Sequence, residues 1–265
     1  MFGARFVGLH VPRIARVYAA LTAAGSTAAL CSGGAPTLSG GSQTSGSIAA
    51  FFDSIQLKPY SVLGTQLTIA KSVVQLGLPP TPREAFVDPA GLHYIQEAGP
   101  ARAGGAAGAI YKHIGIGDDA AFPQPVINGV KAPGDAQLHC YGDEHVVIHT
   151  VGPDLRVGDP TWEQACQILG QAYHNVLRQF LDESARRPEL STLRLLPISG
   201  GIFAGKYQQH IAPLTMESLS EGYGMLSSSD QQRLRESNFE LQLCIFLEQE
   251  MAAFEVAHAE VCAAP

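Results

Sequence analysis

Apolar residues follow two kinds of pattern, which alternate along residues 55–262. Short runs of consecutive apolar and β-branched residues are typical of buried strands, and longer segments with apolar residues at helical spacing are typical of amphipathic helices. The chain alternates between the two, which predicts an α/β layered domain with a mixed, largely parallel central sheet. Strands are predicted in QLTIAKSVVQL, EAFVDP, EHVVIHTVG, TLRLLPIS and FELQLCIF, and helices in GGAAGAIYKHIG, TWEQACQILGQAYHNVLRQFLDESARR, SSSDQQRLRESN and LEQEMAAFEVAHAEV.

The longest helical pattern follows Thr161. Thr161 and Gln164 have the spacing of a capping box, in which each side chain binds the other residue's backbone N–H. Apolar residues then recur on one face, so the segment is predicted to begin at this cap and to bury that face. The residues of the face are Cys166, Leu169, Tyr173, Val176, Leu177 and Phe180.

Composition limits the classes of protein to which the chain can belong. With 265 residues, 46% hydrophobic and 15% charged, it can bury a substantial core. The net charge is −7 and no basic block follows residue 60, which argues against a nucleic-acid-binding protein. The sequence contains no run of 18 apolar residues, so no membrane span is predicted. The five cysteines are scattered without CxxC spacing, so we expect neither a disulfide framework nor a metal site, and we expect Cys140, Cys166 and Cys244 to be core residues.

The first 52 residues differ from the rest of the chain. They contain Arg5, Arg13 and Arg16 but no acidic residue, and they end in a Gly/Ser-rich stretch. An Arg-bearing, Ser-rich, acid-poor N-terminus is typical of an organelle import segment, so a mitochondrial location is predicted. The alternative is an N-terminal helix and flexible linker without an address in a cytoplasmic protein. We place an N-terminal extension at residues 1–54, which could contact partner subunits, and the folded domain at residues 55–265.

Two glycine-rich segments follow predicted strands. One is GGAAGAIY, and the other is ISGGIFAGKY at residues 198–207. Ligands of parallel α/β sheets bind where the strands end, and glycine lets backbone N–H groups approach a phosphate directly. The alternative is a pair of tight turns that the fold requires. We favour phosphate binding between the two segments.

The order of several segments between residues 60 and 262 resembles the macrodomain family, whose members bind ADP-ribose. EHVVIHTVGP is similar to the strand and turn of that family, KAPGDAQLH to its PTGEA segment, and LLPISGGIFAG to its ISTGIYG loop. GGAAGAIYKHIG is similar to GGVDGAIH, and LCIFLEQEMAAFEVAH to its last strand and helix. The resemblance implies a three-layer α/β/α fold and a nucleotide diphosphate as ligand.

The departures from the family pattern concern function. The family's VNAAN segment is VDPAG in this chain, so Asp88 replaces the first asparagine and Gly91 replaces the second. In the family's active branches, that second asparagine takes part in hydrolysis. Ala107 replaces the aspartate of VDG. The adenine-binding aspartate of GDIT has no clear counterpart, with Ser72 as the nearest match. The resemblance therefore implies that hydrolysis is absent or very slow, because Gly91 and Ala107 have no polar side chain.

The resemblance and the two loops together define a candidate ligand-binding set. Asp88 could contact the ligand or, as we slightly favour, lie in a surface turn before Pro89. Phe203 could cover a ribose or fill an empty cleft, Phe246 could stack on adenine or belong to the core, and His149 is expected to be a hydrogen-bonded structural residue. No catalytic residue, metal ligand or cofactor is predicted. The set is Asp88, Gly104, Gly105, Ala107, Gly108, Ser199, Gly200, Gly201, Ile202, Phe203, Ala204, Gly205 and Phe246.

Three functions remain open from the sequence. The first is binding of ADP-ribose or a related nucleotide diphosphate without turnover. The second is a ligand-free, non-catalytic structural subunit of a larger, possibly mitochondrial, complex. The third is a diverged hydrolase that uses other residues. We favour the first, since both glycine-rich segments lie where a diphosphate would be bound.

Overall fold

The computed structural model describes residues 45–263. The predicted import segment and linker therefore lie outside the described residues, as does Cys31. The described helices are α1 (Ser45–Asp53), α2 (Gly105–His113), α3 (Gln124–Gly129), α4 (Trp162–Arg186), α5 (Ile211–Gly224), α6 (Ser228–Glu236) and α7 (Met251–Cys262). The strands are β1 (Ile55–Lys58), β2 (Thr65–Leu67), β3 (Val73–Gln75), β4 (Glu84–Ala90), β5 (Ala136–Tyr141), β6 (His145–Val151), β7 (Thr192–Leu195) and β8 (Glu240–Cys244).

Six strands form the central sheet in the order β1-β8-β7-β4-β6-β5. Every neighbouring pair is parallel except β5 and β6, which are antiparallel. Successive residues of β4 point to opposite faces of the sheet, so Val87 packs in one apolar core and Phe86 in the other. Helices α1, α4, α5 and α7 cover the first face, and α2 and α3 cover the second. The predicted three-layer α/β/α fold with a mixed, largely parallel sheet is confirmed.

Helix α4 begins at the predicted cap. Thr161 Oγ1 accepts a hydrogen bond from the N–H of Gln164, and the N–H of Thr161 donates to Gln164 Oε1. The predicted apolar face is buried along the helix, with Tyr173 and Phe180 fully inaccessible to solvent. The cap determines where the helix begins because it satisfies N–H groups that have no partner within the helix.

The segment QLTIAKSVVQL differs from its prediction. It forms a separate antiparallel hairpin, β2 and β3, instead of one buried strand. Lys71 has a φ of 63° in the connecting turn, and the apolar side chains of Ile69 and Val73 are 73% and 62% exposed. An apolar run therefore did not indicate burial here, because burial depends on what packs against the run. Ser72, the nearest match to an adenine-binding residue, is exposed in the same turn.

Helix α1 belongs to the domain core although the sequence assigned it to the extension. Phe51 and Phe52 are fully buried, and the ring of Phe51 stacks on Tyr223 with centroids 4.1 Å apart. Residues 48–54 therefore pack with the domain. The pattern also missed α5 and the edge strands β1 and β5. No helix within residues 45–263 is long and apolar enough to cross a membrane.

Candidate functional site

Strands β4, β6, β7 and β8 end at one edge of the sheet because they run in parallel. Helix α2 starts at this edge and returns along β4 and β6, since its Tyr111 contacts Asp88 and its last residue, His113, contacts His145 at the start of β6. The N-terminus of α2 and the segment after β7 are thus at the same edge. We call residues 104–108 the α2 loop and residues 199–205 the β7 loop.

The α2 loop presents free backbone donors. Gly104 caps the helix in an extended conformation (φ −122°, ψ −174°) without a side-chain hydrogen bond. Among the described residues, no group accepts from the N–H groups of Gly105, Ala106 and Ala107. A Cβ added at Gly104 or Gly105 would meet no described atom within 4 Å. These N–H groups and the positive end of the helix dipole can bind an anion at the open space beside them.

The β7 loop presents a second set of donors. The N–H groups of Gly201, Ile202 and Phe203 find no acceptor within the described part of the chain. Gly201 also faces open space, since no described atom would lie within 4 Å of an added Cβ. The two loops therefore offer backbone donors from two adjacent strand connections, which suits a ligand with two linked phosphates.

Ser199 is held in a strained conformation at the start of this loop. Its φ is 59°, a left-handed value that costs a serine of order 1 kcal/mol. The hydroxyl is buried and donates to the carbonyl oxygen of Pro153, 2.7 Å away. Gly152 makes room for it, since a Cβ there would lie 2.3 Å from Ser199 Oγ. The strain is thus fixed by contact with the segment that follows β6.

The segment after β6 also supports the far side of the β7 loop. The N–H of Leu155 donates to the carbonyl oxygen of Phe203 at 2.9 Å. The guanidinium of Arg156 lies over the Phe203 ring, 5.2 Å from its centroid. Its Nε and Nη2 atoms donate hydrogen bonds to the two carboxylate oxygens of Asp154. Phe203 is therefore covered on one face by Arg156.

The predicted site residues differ in how far they are exposed to solvent. Gly104, Gly105, Gly201 and Ile202 are exposed at the edge, and Ile202 is 77% exposed. The side chains of Ala107, Ser199 and Ala204 are buried, so these residues can offer only backbone groups. Gly108, Gly200, Phe203 and Gly205 are half-buried. Phe246 follows β8 and is 37% exposed, which leaves a face for stacking.

Asp88 lies in neither of the places that the sequence proposed. It is within β4, and its side chain is fully buried. Its Oδ2 accepts hydrogen bonds from the Tyr111 hydroxyl at 2.8 Å and from His149 Nδ1 at 2.7 Å, while its Oδ1 has no partner among the described groups. Parallel pairing with β6 places His149 directly beside Asp88. Asp88 is therefore neither a surface turn residue nor a group at the mouth of the cleft.

His149 is the hydrogen-bonded structural histidine that the sequence predicted. Its Nε2 accepts from the hydroxyl of Tyr141 at 2.9 Å, so the chain of contacts runs from Tyr141 through His149 to Asp88 and Tyr111. Burial, and secondarily the Asp88 carboxylate, raises the pKa of Tyr111 and of Tyr141 above the ordinary value. Both hydroxyls thus keep their protons and act as donors.

Tyr94 is a candidate site residue that the sequence analysis missed. A Cβ added at Gly91 would lie 2.9 Å from Cδ2 and 3.3 Å from Cε2 of the Tyr94 ring. The ring therefore occupies the space that a larger residue at position 91 would need. No periodic signal identifies it, because Tyr94 lies in a short irregular helix between β4 and α2.

Tyr207, by contrast, does not enter the edge between the loops. Its side chain is buried in the core on the α4 face, and its hydroxyl donates to the carbonyl oxygen of Pro160 at 2.6 Å. Within residues 45–263, no group of three or more His, Cys, Asp or Glu side chains is arranged to hold a metal.

Comparisons with known proteins show similarity to macrodomain structures. No family model matches the chain, and no curated protein matches it. The structure of the Oceanobacillus iheyensis macrodomain with ADP is 19% identical, with a TM-score of 0.43, and the match covers 65% of this chain and 81% of that one. A mutant of the same macrodomain with ADPR is 17% identical, with a TM-score of 0.46, over 68% of this chain and 87% of that one.

Proposed function

We propose that the chain is a diverged macrodomain that binds ADP-ribose or a related nucleoside diphosphate without hydrolysing it. The observation that carries the proposal is the pair of donor sets at one sheet edge. Gly105, Ala106 and Ala107 offer N–H groups from the α2 loop, and Gly201, Ile202 and Phe203 offer them from the β7 loop. A diphosphate has enough acceptor oxygens to use both sets.

The charges beside the β7 loop are balanced, and the protein carries a net charge of −7. Arg156 and Lys206 flank the β7 loop, and each is paired with a neighbouring aspartate. The attraction for an anionic ligand is therefore assigned to the backbone donors and to the dipole of α2.

The proposed lack of hydrolysis follows from the side chains at the positions that the resemblance assigns to catalysis. Neither Gly91 nor Ala107 has a polar side chain that could position or deprotonate a water molecule, and such a group contributes about 10²–10⁴-fold to rate. The ring of Tyr94 fills the space over Gly91. Asp88 is buried and bonded to Tyr111 and His149, so it is not free to act as the base.

Isothermal titration with a ligand series tests the proposal. We expect saturable micromolar binding of ADP-ribose and ADP, binding at least tenfold weaker for AMP, and none for adenosine, because the loops contact the diphosphate. Incubation with a mono-ADP-ribosylated protein should release no ADP-ribose. Release at a measurable rate would instead support a diverged hydrolase.

Two glycine variants test the location of the site. In Gly104→Val and Gly201→Val the added Cβ enters the space beside the donors and meets no described atom within 4 Å, so each should fold and lose binding. Ala253→Val, which adds apolar bulk at an exposed position of α7, should bind as the unaltered protein does. Unimpaired binding by both glycine variants would contradict this location. Absence of heat up to millimolar ADP-ribose would leave the ligand-free structural subunit as the better description.

A further inference from the structure

The hairpin β2–β3 and the residues after it carry an exposed apolar surface. Ile69, Val73, Leu76 and Leu78 are 54–79% exposed. The chain from residue 59 to residue 82 contains one charged side chain, that of Lys71. Large apolar side chains that are clustered, exposed and almost free of charge indicate a surface that binds another molecule.

The outer edge of β2 is already paired within the domain. The N–H of Leu67 donates to the carbonyl oxygen of Phe246 at 2.9 Å. The carbonyl oxygen of Thr65 accepts from the N–H of Ser61 at 2.6 Å. This edge of the hairpin is therefore closed to a further strand.

The outer edge of β3 is open. In an antiparallel pair, residues bonded to the neighbouring strand alternate with residues whose N–H and C=O point away from it. Ser72 accepts from the N–H of Thr68, so Val74 also faces β2, and Val73 and Gln75 direct their backbone groups outward. Both residues are exposed, and no group in residues 45–263 pairs with these outward N–H and C=O groups. We call this row of groups the β3 edge.

We propose that the β3 edge binds the β3 edge of a second copy of this chain in antiparallel orientation. The two hairpins then form one four-stranded sheet across a two-fold axis. With the axis at Val74, Val73 of one copy pairs with the partner's Gln75, and the reverse pair forms by symmetry. The two N–H and two C=O groups that each copy directs outward then make four hydrogen bonds.

Three features favour a second copy as the occupant. Each hairpin has one open edge, so pairing two of them closes the assembly instead of extending it into a fibre. Strand edges that avoid pairing usually carry a charge, a proline or a bulge, and Val73–Gln75 has none of these. The two Lys71 side chains would lie six residues apart along the paired strands, roughly 20 Å, so they would not repel each other strongly.

The size of the surface predicts a reversible dimer. Residues 69–78 of two copies would bury on the order of 1,000 Å² in total, which is at the lower end for specific interfaces. We therefore expect a dissociation constant in the micromolar range. The dimer does not depend on the nucleotide proposal, since the β3 edge shares no residue with the α2 loop or the β7 loop.

Sedimentation equilibrium of the full chain tests the inference. The mean mass should rise from 28.0 kDa toward twice that value between low-micromolar and submillimolar concentrations. Val73→Lys should weaken the dimer at least tenfold, because the two substituted side chains would be diagonal neighbours on one face, about 7–8 Å apart. Val256→Lys is the matched control, since Val256 is a valine of similar exposure, 60%, on α7; it should dimerise as the unaltered protein does.

Hydrogen exchange of the unaltered protein, followed by NMR, provides a measurement that needs no variant. The amides of Val73 and Gln75 should exchange at least tenfold more slowly at submillimolar than at low-micromolar concentration. A chain that stays monomeric, or two lysine variants that dimerise equally, would overturn the proposal. Protection of both amides at every concentration in a monomer would overturn it too, because another part of the same chain would then cover the β3 edge.

Discussion

Replacing Asp88 with alanine should reveal how much the buried contacts between β4, β6 and α2 stabilise the fold. The carboxylate accepts from Tyr111 and His149, and its side chain is fully inaccessible to solvent. Alanine leaves both donors buried without an acceptor. Because a buried donor left unpaired costs about 1–3 kcal/mol, the two together predict a loss of about 2–6 kcal/mol.

That loss is large against the ~5–15 kcal/mol by which a domain is stable. Urea unfolding at pH 7, followed by the fluorescence of Trp162, the only tryptophan, measures it. The half-buried Trp162 indole donates to Glu217, so its emission should change when α4 and α5 separate. The slope of free energy against urea should stay the same in the variant, which would show that the unfolded state is unchanged.

Asp182→Ala provides the control. Asp182 is 56% exposed and pairs with Arg178 at 3.8 Å, so its removal should cost less than about 0.5 kcal/mol. Tyr111→Phe removes only one donor and should cost about 1 kcal/mol. The double variant Asp88→Ala/Tyr111→Phe should lose less stability than the sum of the two single losses, since it no longer contains the Tyr111 hydroxyl that Asp88→Ala leaves unpaired. A loss for Asp88→Ala no larger than the control would refute the reasoning.

Two further predictions concern buried titratable side chains. Burial raises the pKa of the Glu217 carboxyl, so the folded protein holds this proton more tightly than the unfolded chain does. The stability that the bound proton contributes is present below the ordinary carboxyl pKa of about 4.3, and it is lost as the pH rises through the raised pKa. Glu217→Gln should therefore gain stability relative to the unaltered protein between pH 4 and 7 in urea titrations, and a constant difference would contradict this. Burial also raises the pKa of Cys244 to about 12 and raises that of Cys166. Among the four cysteines that the structure describes, alkylation mapped by mass spectrometry should therefore modify the half-buried Cys140 and Cys262 first and Cys166 and Cys244 only after unfolding.

Much of the architecture could be predicted because the helices and strands depend on residue patterns that are local in the sequence. The cap of Thr161 and the apolar face that follows it depend on residues three or four positions apart, so α4 was predicted from its start. The strand runs and the glycines after them likewise indicated a parallel sheet with binding loops at one edge. The hairpin β2–β3 is the exception, since Ile69 and Val73 have no surface in the described chain that buries them.

The sequence by itself determined the layered α/β fold, the places of the two glycine-rich loops and the absence of polar side chains at positions 91 and 107. Only the tertiary structure decided that Asp88 is a core residue, that Tyr94 covers Gly91, and that His113 meets His145. The physical reason is distance along the chain. Asp88 and His149 are 61 residues apart, and no local pattern specifies such a pair. It forms because β4 and β6 are neighbours in the sheet.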